Sequence, residues 1–82
     1  MEKSIFSREY KAVTILLREA REEAGLTQVG LAERLSVTQS YLSKVERGER
    51  LLDVIQLRQY CIAVEIDLVA FVKKLEKRLA TG

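Results

Sequence analysis

TQSYLSKVERG, residues 38–48, holds more polar than apolar positions. Read as a helix, it turns only Leu42 and Val45 clearly inward and presents Gln39, Ser40, Ser43, Lys44 and Arg47 outward. A merely solvated helix usually carries Glu/Lys pairs at i,i+4, and this one has none. The flanking residues explain so thin an apolar stripe. Thr38 is placed to cap this helix and Gly48 to close it, over about 39–47. Upstream, Thr27 is placed to cap another short helix, about 28–35, that buries Leu31, Ala32 and Leu35. Only Ser36, Val37 and Thr38 separate the two. A three-residue link cannot fully reverse the chain, so the helices should cross steeply as a helix-turn-helix. Leu31, Leu35, Val37, Leu42 and Val45 then share a core, and the polar face of 38–48 projects from the surface. A short helix presented in this way suits a DNA major groove.

Helical periodicity continues on both sides. Ser7 is placed to cap a first helix, about 8–24, with Val13, Leu16, Leu17, Ala20 and Ala24 on one stripe and Gly25 at its end. Asp53 and Gln56 form a capping-box pattern before a fourth helix, about 54–64, with Leu57, Cys61, Ile62 and Val64 as candidate core. Asp67 is placed to cap a fifth, about 68–79. The chain has no proline, no Asn-Gly or Asp-Gly hairpin signal and no sustained alternation. The fold class expected is all-α, five helices in a single domain over residues 1–82.

Composition narrows the function further. The 82 residues are 48% apolar and 32% charged, as in soluble globular proteins. One cysteine and no histidine exclude an internal disulfide, the usual zinc sites and nucleophilic triads built on histidine. No cofactor, metal or covalent chemistry is therefore expected, and the chain is read as no enzyme. No apolar run approaches 18 residues and no signal-peptide pattern is present, so the expected location is the cytoplasm, with no membrane partner. The net charge of +2 is unevenly spread. Residues 1–37 sum to zero, residues 38–72 to −1, and residues 73–82 to +3 through Lys73, Lys74, Lys77 and Arg78 against Glu76. Charge alone does not point to nucleic acid around 38–48.

The run LREAREEAGLTQVGLAERLSVTQSYLSKVERGERLLDV resembles the phage-repressor and Cro-like helix-turn-helix family, often called the Xre family. The resemblance covers about residues 14–70 and rests most on GLTQ and LAERLSVTQSYLSKVERG. It implies a lambda-repressor-like fold that binds double-stranded DNA. It also implies base reading by Gln39 and Ser40, with Ser43 and Lys44 one turn further along. Gln28 and Arg47 would contact phosphate, with Thr38 and Tyr41 beside them, and Arg21 would form a buried ion pair with Glu46. Several positions depart from the family pattern: Ser36 and Glu65 stand where glycine is common, Gly30 lies inside the second helix, and Leu51 and Leu52 occupy a loop that usually contains proline.

The fifth helix carries an apolar stripe wider than a small core absorbs, so Phe71, Val72, Leu75 and Leu79 are candidates for a homodimer surface, within a C-terminal element spanning 67–82. Ile5 and Phe6 belong to an N-terminal segment, 1–13, read as a lid. The reading favoured is a sequence-specific transcriptional repressor acting as a homodimer on a palindromic operator. Its rivals are the antitoxin of a toxin–antitoxin pair, which also binds a protein partner, and an interaction module that has lost DNA binding.

Overall fold

The computed structural model of the chain describes residues 7–81. Five helices follow in order: α1 (Arg8–Glu23), α2 (Gln28–Leu35), α3 (Gln39–Glu46), α4 (Val54–Ala63) and α5 (Leu68–Thr81). Among the described residues there is no strand. The Ile5 and Phe6 part of the expected lid lies outside the described residues, and Arg8 to Val13 form the start of α1.

Each start is capped as the side chains dictate. Ser7, Thr27 and Thr38 accept from the backbone N–H three residues on, and Asp53 with Gln56 forms a reciprocal capping box. The Asp67 carboxylate accepts from the Ala70 N–H at 3.3 Å. The ends of α1 to α4 share one device. In each, a residue one or two positions past the helix adopts positive φ, and the next N–H reaches back five residues: Leu26 to Arg21, Val37 to Ala32, Glu49 to Lys44 and Ile66 to Cys61. Glycine supplies the left-handed residue at Gly25 and Gly48; Ser36 (φ 58) and Glu65 (φ 64) supply it at the other two. The two positions where the family commonly has glycine are therefore the two that adopt the conformation glycine tolerates best.

The core draws on all five helices: Leu16 and Leu17, Leu31 and Ala32, Leu42 and Val45, Tyr60 and Cys61, and Phe71, with Val64 just past α4. Leu35, Val37, Leu57, Leu68 and Leu75 pack around it, half-buried. Two expectations need correction. Ile62 is 56% exposed, because Leu57, Tyr60, Cys61 and Val64 share one side of α4 and leave Ile62 on the other. Phe71 is 1% exposed and is a core residue, so it offers no surface to a second copy.

The rest of the α5 stripe is largely absorbed as well. Leu75 packs on the core, and Leu79 lines a groove with Ala12 and Ile15 where α5 lies along α1. Val72 stays exposed. Lys74 and Arg78 approach Glu23 and Glu19 of α1 at 3.9 Å, so part of the basic C-terminal surplus faces acidic side chains of the same chain.

Candidate nucleic-acid interface

α2 and α3 hold the site, and a buried carboxylate fixes how they hold it. Glu46, in the last turn of α3, accepts from Arg21 Nε (2.7 Å) at one oxygen and from Arg21 Nη2 (3.0 Å) at the other. Their side chains are 10% and 3% exposed for Arg21 and Glu46. The remaining Arg21 nitrogen, Nη1, donates to the Leu26 carbonyl at 2.9 Å, tying the ion pair to the turn between α1 and α2. Tyr60 Oη lies 2.9 Å from both Glu46 Oε2 and the Leu17 carbonyl, bringing α4 into the same cluster. Burial pushes the Glu46 carboxyl up, but hydrogen bonds from Arg21, Gln28 and Tyr60 together hold it below the usual carboxylate value. Burial and the neighbouring Glu46 push the Tyr60 hydroxyl up.

From this cluster a chain of amides runs outward. Gln28, first residue of α2, donates its Nε2 to Glu46 Oε1 at 3.0 Å. That bond fixes the flip of the Gln28 amide, so its Oε1 is free to accept from Gln39 Nε2, which it does at 2.9 Å. Gln39 is exposed at the tip of α3. It retains Oε1 and a second N–H, the acceptor–donor pair that matches N6 and N7 of adenine.

The other expected residues divide into outward and engaged groups. Ser40 and Lys44 are exposed, and their side chains have no hydrogen-bond or ion-pair partner among the described residues. Thr38 is exposed, with its oxygen accepting from the Tyr41 N–H at 3.0 Å as the cap of α3. Tyr41 is half-buried against the core. Ser43 is partly buried and accepts from Arg47 Nη1 at 2.7 Å. The rest of the Arg47 guanidinium faces Glu49, at 2.9 and 3.3 Å.

Several residues that serve the site were missed in the sequence. The Arg50 guanidinium lies 5.2 Å from the Tyr41 ring centroid, a cation–π arrangement that keeps a cation beside α3. Tyr10 accepts at its hydroxyl from the Leu52 N–H (3.3 Å) and donates to the Arg50 carbonyl (3.5 Å), holding the loop after α3 against α1. Lys11 lines the same depression as Arg47. The Tyr10 contacts carry no local sequence signal, because partners 40 and 42 residues apart meet only in the fold.

Burial also changes the charge reading. Glu46 is neutralised inside by Arg21, so the outward charges of residues 38–50 are Lys44, Arg47 and Arg50 against Glu49, or 3 − 1 = +2. The surface around α3 is thus basic although the segment sum is not.

Known proteins resemble this arrangement over most of the chain. The helix-turn-helix family model matches residues 17–71. Among solved structures, an XRE-family like protein from Pseudomonas syringae pv. tomato is 46% identical, with a TM-score of 0.80 over 85% of this chain and 85% of that one. A restriction-modification controller protein, solved as a tetramer in complex with its natural 35 base-pair operator, is 30% identical with a TM-score of 0.78, covering 87% of this chain and 93% of that one. The clp gene regulator ClgR from Corynebacterium glutamicum is 27% identical with a TM-score of 0.80, covering 92% and 80% respectively. No curated protein sequence matches.

Proposed function

The chain belongs to the Xre family of helix-turn-helix DNA-binding regulators, and we propose on that premise that it is a transcriptional repressor that binds a palindromic operator as a homodimer. The observation that carries the DNA-reading role is the relay Arg21–Glu46–Gln28–Gln39, which runs from a buried ion pair to an exposed amide. A flexible glutamine would lose side-chain entropy on binding a base. Here the protein has already ordered it, which is the preorganisation that base recognition requires. Ser40 and Lys44 stand beside it for further base contacts, and Arg47, Arg50, Thr38 and Gln28 border it for phosphate. Phosphate contacts would supply affinity and register, and the tip of α3 the choice of sequence.

A homodimer is supported by what remains exposed and apolar. Val54, Ile55 and Ile62 of α4, with Leu51 before it, leave an unpaired apolar side on that helix, and Val69 and Val72 leave two more such residues on α5. With Phe71 buried, these side chains replace it as the surface for a second copy. The operator homologue, a tetramer on its site, makes multiple copies on one DNA a reasonable expectation.

Selection of bound duplexes from a random pool tests the proposal. The expected product is an inverted repeat with half-site centres about 10 base pairs apart. Enrichment of a single unrepeated half-site would remove the homodimer, and no enrichment would remove sequence-specific binding.

A further inference from the structure

We infer that Glu49 is an internal competitor for DNA phosphate: in the free protein its carboxylate occupies the Arg47 fork, and it must leave before a phosphate oxygen can take its place. The inference rests on the DNA-binding reading above. Three of the Arg47 nitrogens are already engaged within the chain. Nε and Nη2 face the two Glu49 oxygens at 2.9 and 3.3 Å, and Nη1 donates to Ser43 Oγ at 2.7 Å. A guanidinium edge meets two carboxylate oxygens and two phosphate oxygens with the same planar fork, so the two anions seek one position.

The backbone holds Glu49 in place for this role. Gly48 takes φ 81, and the Glu49 N–H closes on the Lys44 carbonyl at 2.8 Å, which turns the chain back beside the end of α3. The charged groups that face Glu49 are Arg47 and Lys44, and both favour its ionised form. Arg47 and Glu49 are both exposed, so the pair is weak and DNA can displace it. The displacement cost falls on every duplex alike. It therefore suppresses binding to random DNA, while an operator that adds base contacts still binds.

A double-mutant cycle on random and selected duplexes tests this, read as affinity against salt. Glu49→Gln should raise affinity for random duplex about 3–10-fold at low salt and steepen the salt slope by up to about one. In an Arg47→Ala background the same change should lose most of that gain. As a control for net charge, Glu22→Gln, on α1 and paired with Arg18, should have little effect. Equal gains from Glu49→Gln with and without Arg47, or an equal gain from Glu22→Gln, would overturn the competitor role while leaving DNA binding intact. A wild-type chain that binds no duplex at all would overturn both. Carboxyl NMR gives a second readout: the Glu49 titration midpoint should rise when duplex is added, because Arg47 leaves it. An unmoved midpoint in the bound state would also overturn the inference.

Discussion

Gln39 and Glu46 lie seven residues apart on one short helix and do opposite work. Gln39 faces out, and its replacement by alanine should remove one base preference per half-site, about 1–3 kcal/mol, with little change on random duplex. Competition binding with operators mutated one base pair at a time measures this, and equal weakening on all sequences would take Gln39 out of the reading role. Glu46 faces in, where Arg21, Gln28 and Tyr60 all converge on it. Glu46→Ala leaves Arg21 buried without its counter-charge, so the loss should be about 3–5 kcal/mol in chemical denaturation. The same carboxyl gives an acid dependence. Its value is lowered in the folded state, so the stabilisation is complete above the ordinary value of 4.5 and is lost as pH falls through the depressed one. Denaturation midpoints should hold steady from neutral pH to about 5 and then fall, and Glu46→Gln should remove this carboxyl's share of the decline. A Glu46→Gln protein with the wild-type acid slope would assign that slope to other groups.

At the scale of elements, the helix ends tell the clearer story. Four helices end on one backbone motif, yet only two of the left-handed residues are glycine. An L side chain in that conformation costs roughly 1 kcal/mol or more. Ser36→Gly should therefore stabilise the protein by about 1 kcal/mol, since the Ser36 side chain is exposed and makes no hydrogen bond among the described residues. Thermal unfolding measures it; a destabilised Ser36→Gly would mean that the serine side chain holds the turn between α2 and α3. Glu65→Gly is less clean, because Glu65 also approaches Arg34 at 3.5 Å.

For the whole molecule, the issue is how one small domain reaches useful affinity. Its extents are 34 × 25 × 20 Å, so in the proposed homodimer the centres of two adjacent domains would lie within about one DNA turn, ~34 Å, of each other. Pairing also doubles the bases read. Ile55 is 61% exposed, so Ile55→Glu together with Ile62→Glu should leave the fold intact and shift the protein toward monomer in sedimentation. Operator affinity should fall with it. A wild-type chain that sediments as a monomer at tens of micromolar, free and on its operator, would remove the pairing proposal altogether.

The sequence by itself determined the five helices and the helix-turn-helix. Caps, helix ends and apolar spacing are local properties, and Ser7, Thr27, Thr38 and the Asp53–Gln56 box act within three residues of where they stand. Helical spacing also gave the outward side of residues 38–48, and the family resemblance supplied the Arg21–Glu46 pair and the roles expected of the outward residues. Tertiary structure alone decided which apolar residues were spent in the core. The shared core and α1 absorb most of the α5 stripe, and the phase of α4 turns Tyr60 inward and Ile62 outward. It alone also decided the charge of the surface around α3. A sum along the chain counts Glu46 as an exposed acid, but packing buries it against Arg21 from 25 residues away and leaves a basic face outside. Burial and charge pairing depend on which helices meet, and no local pattern records that.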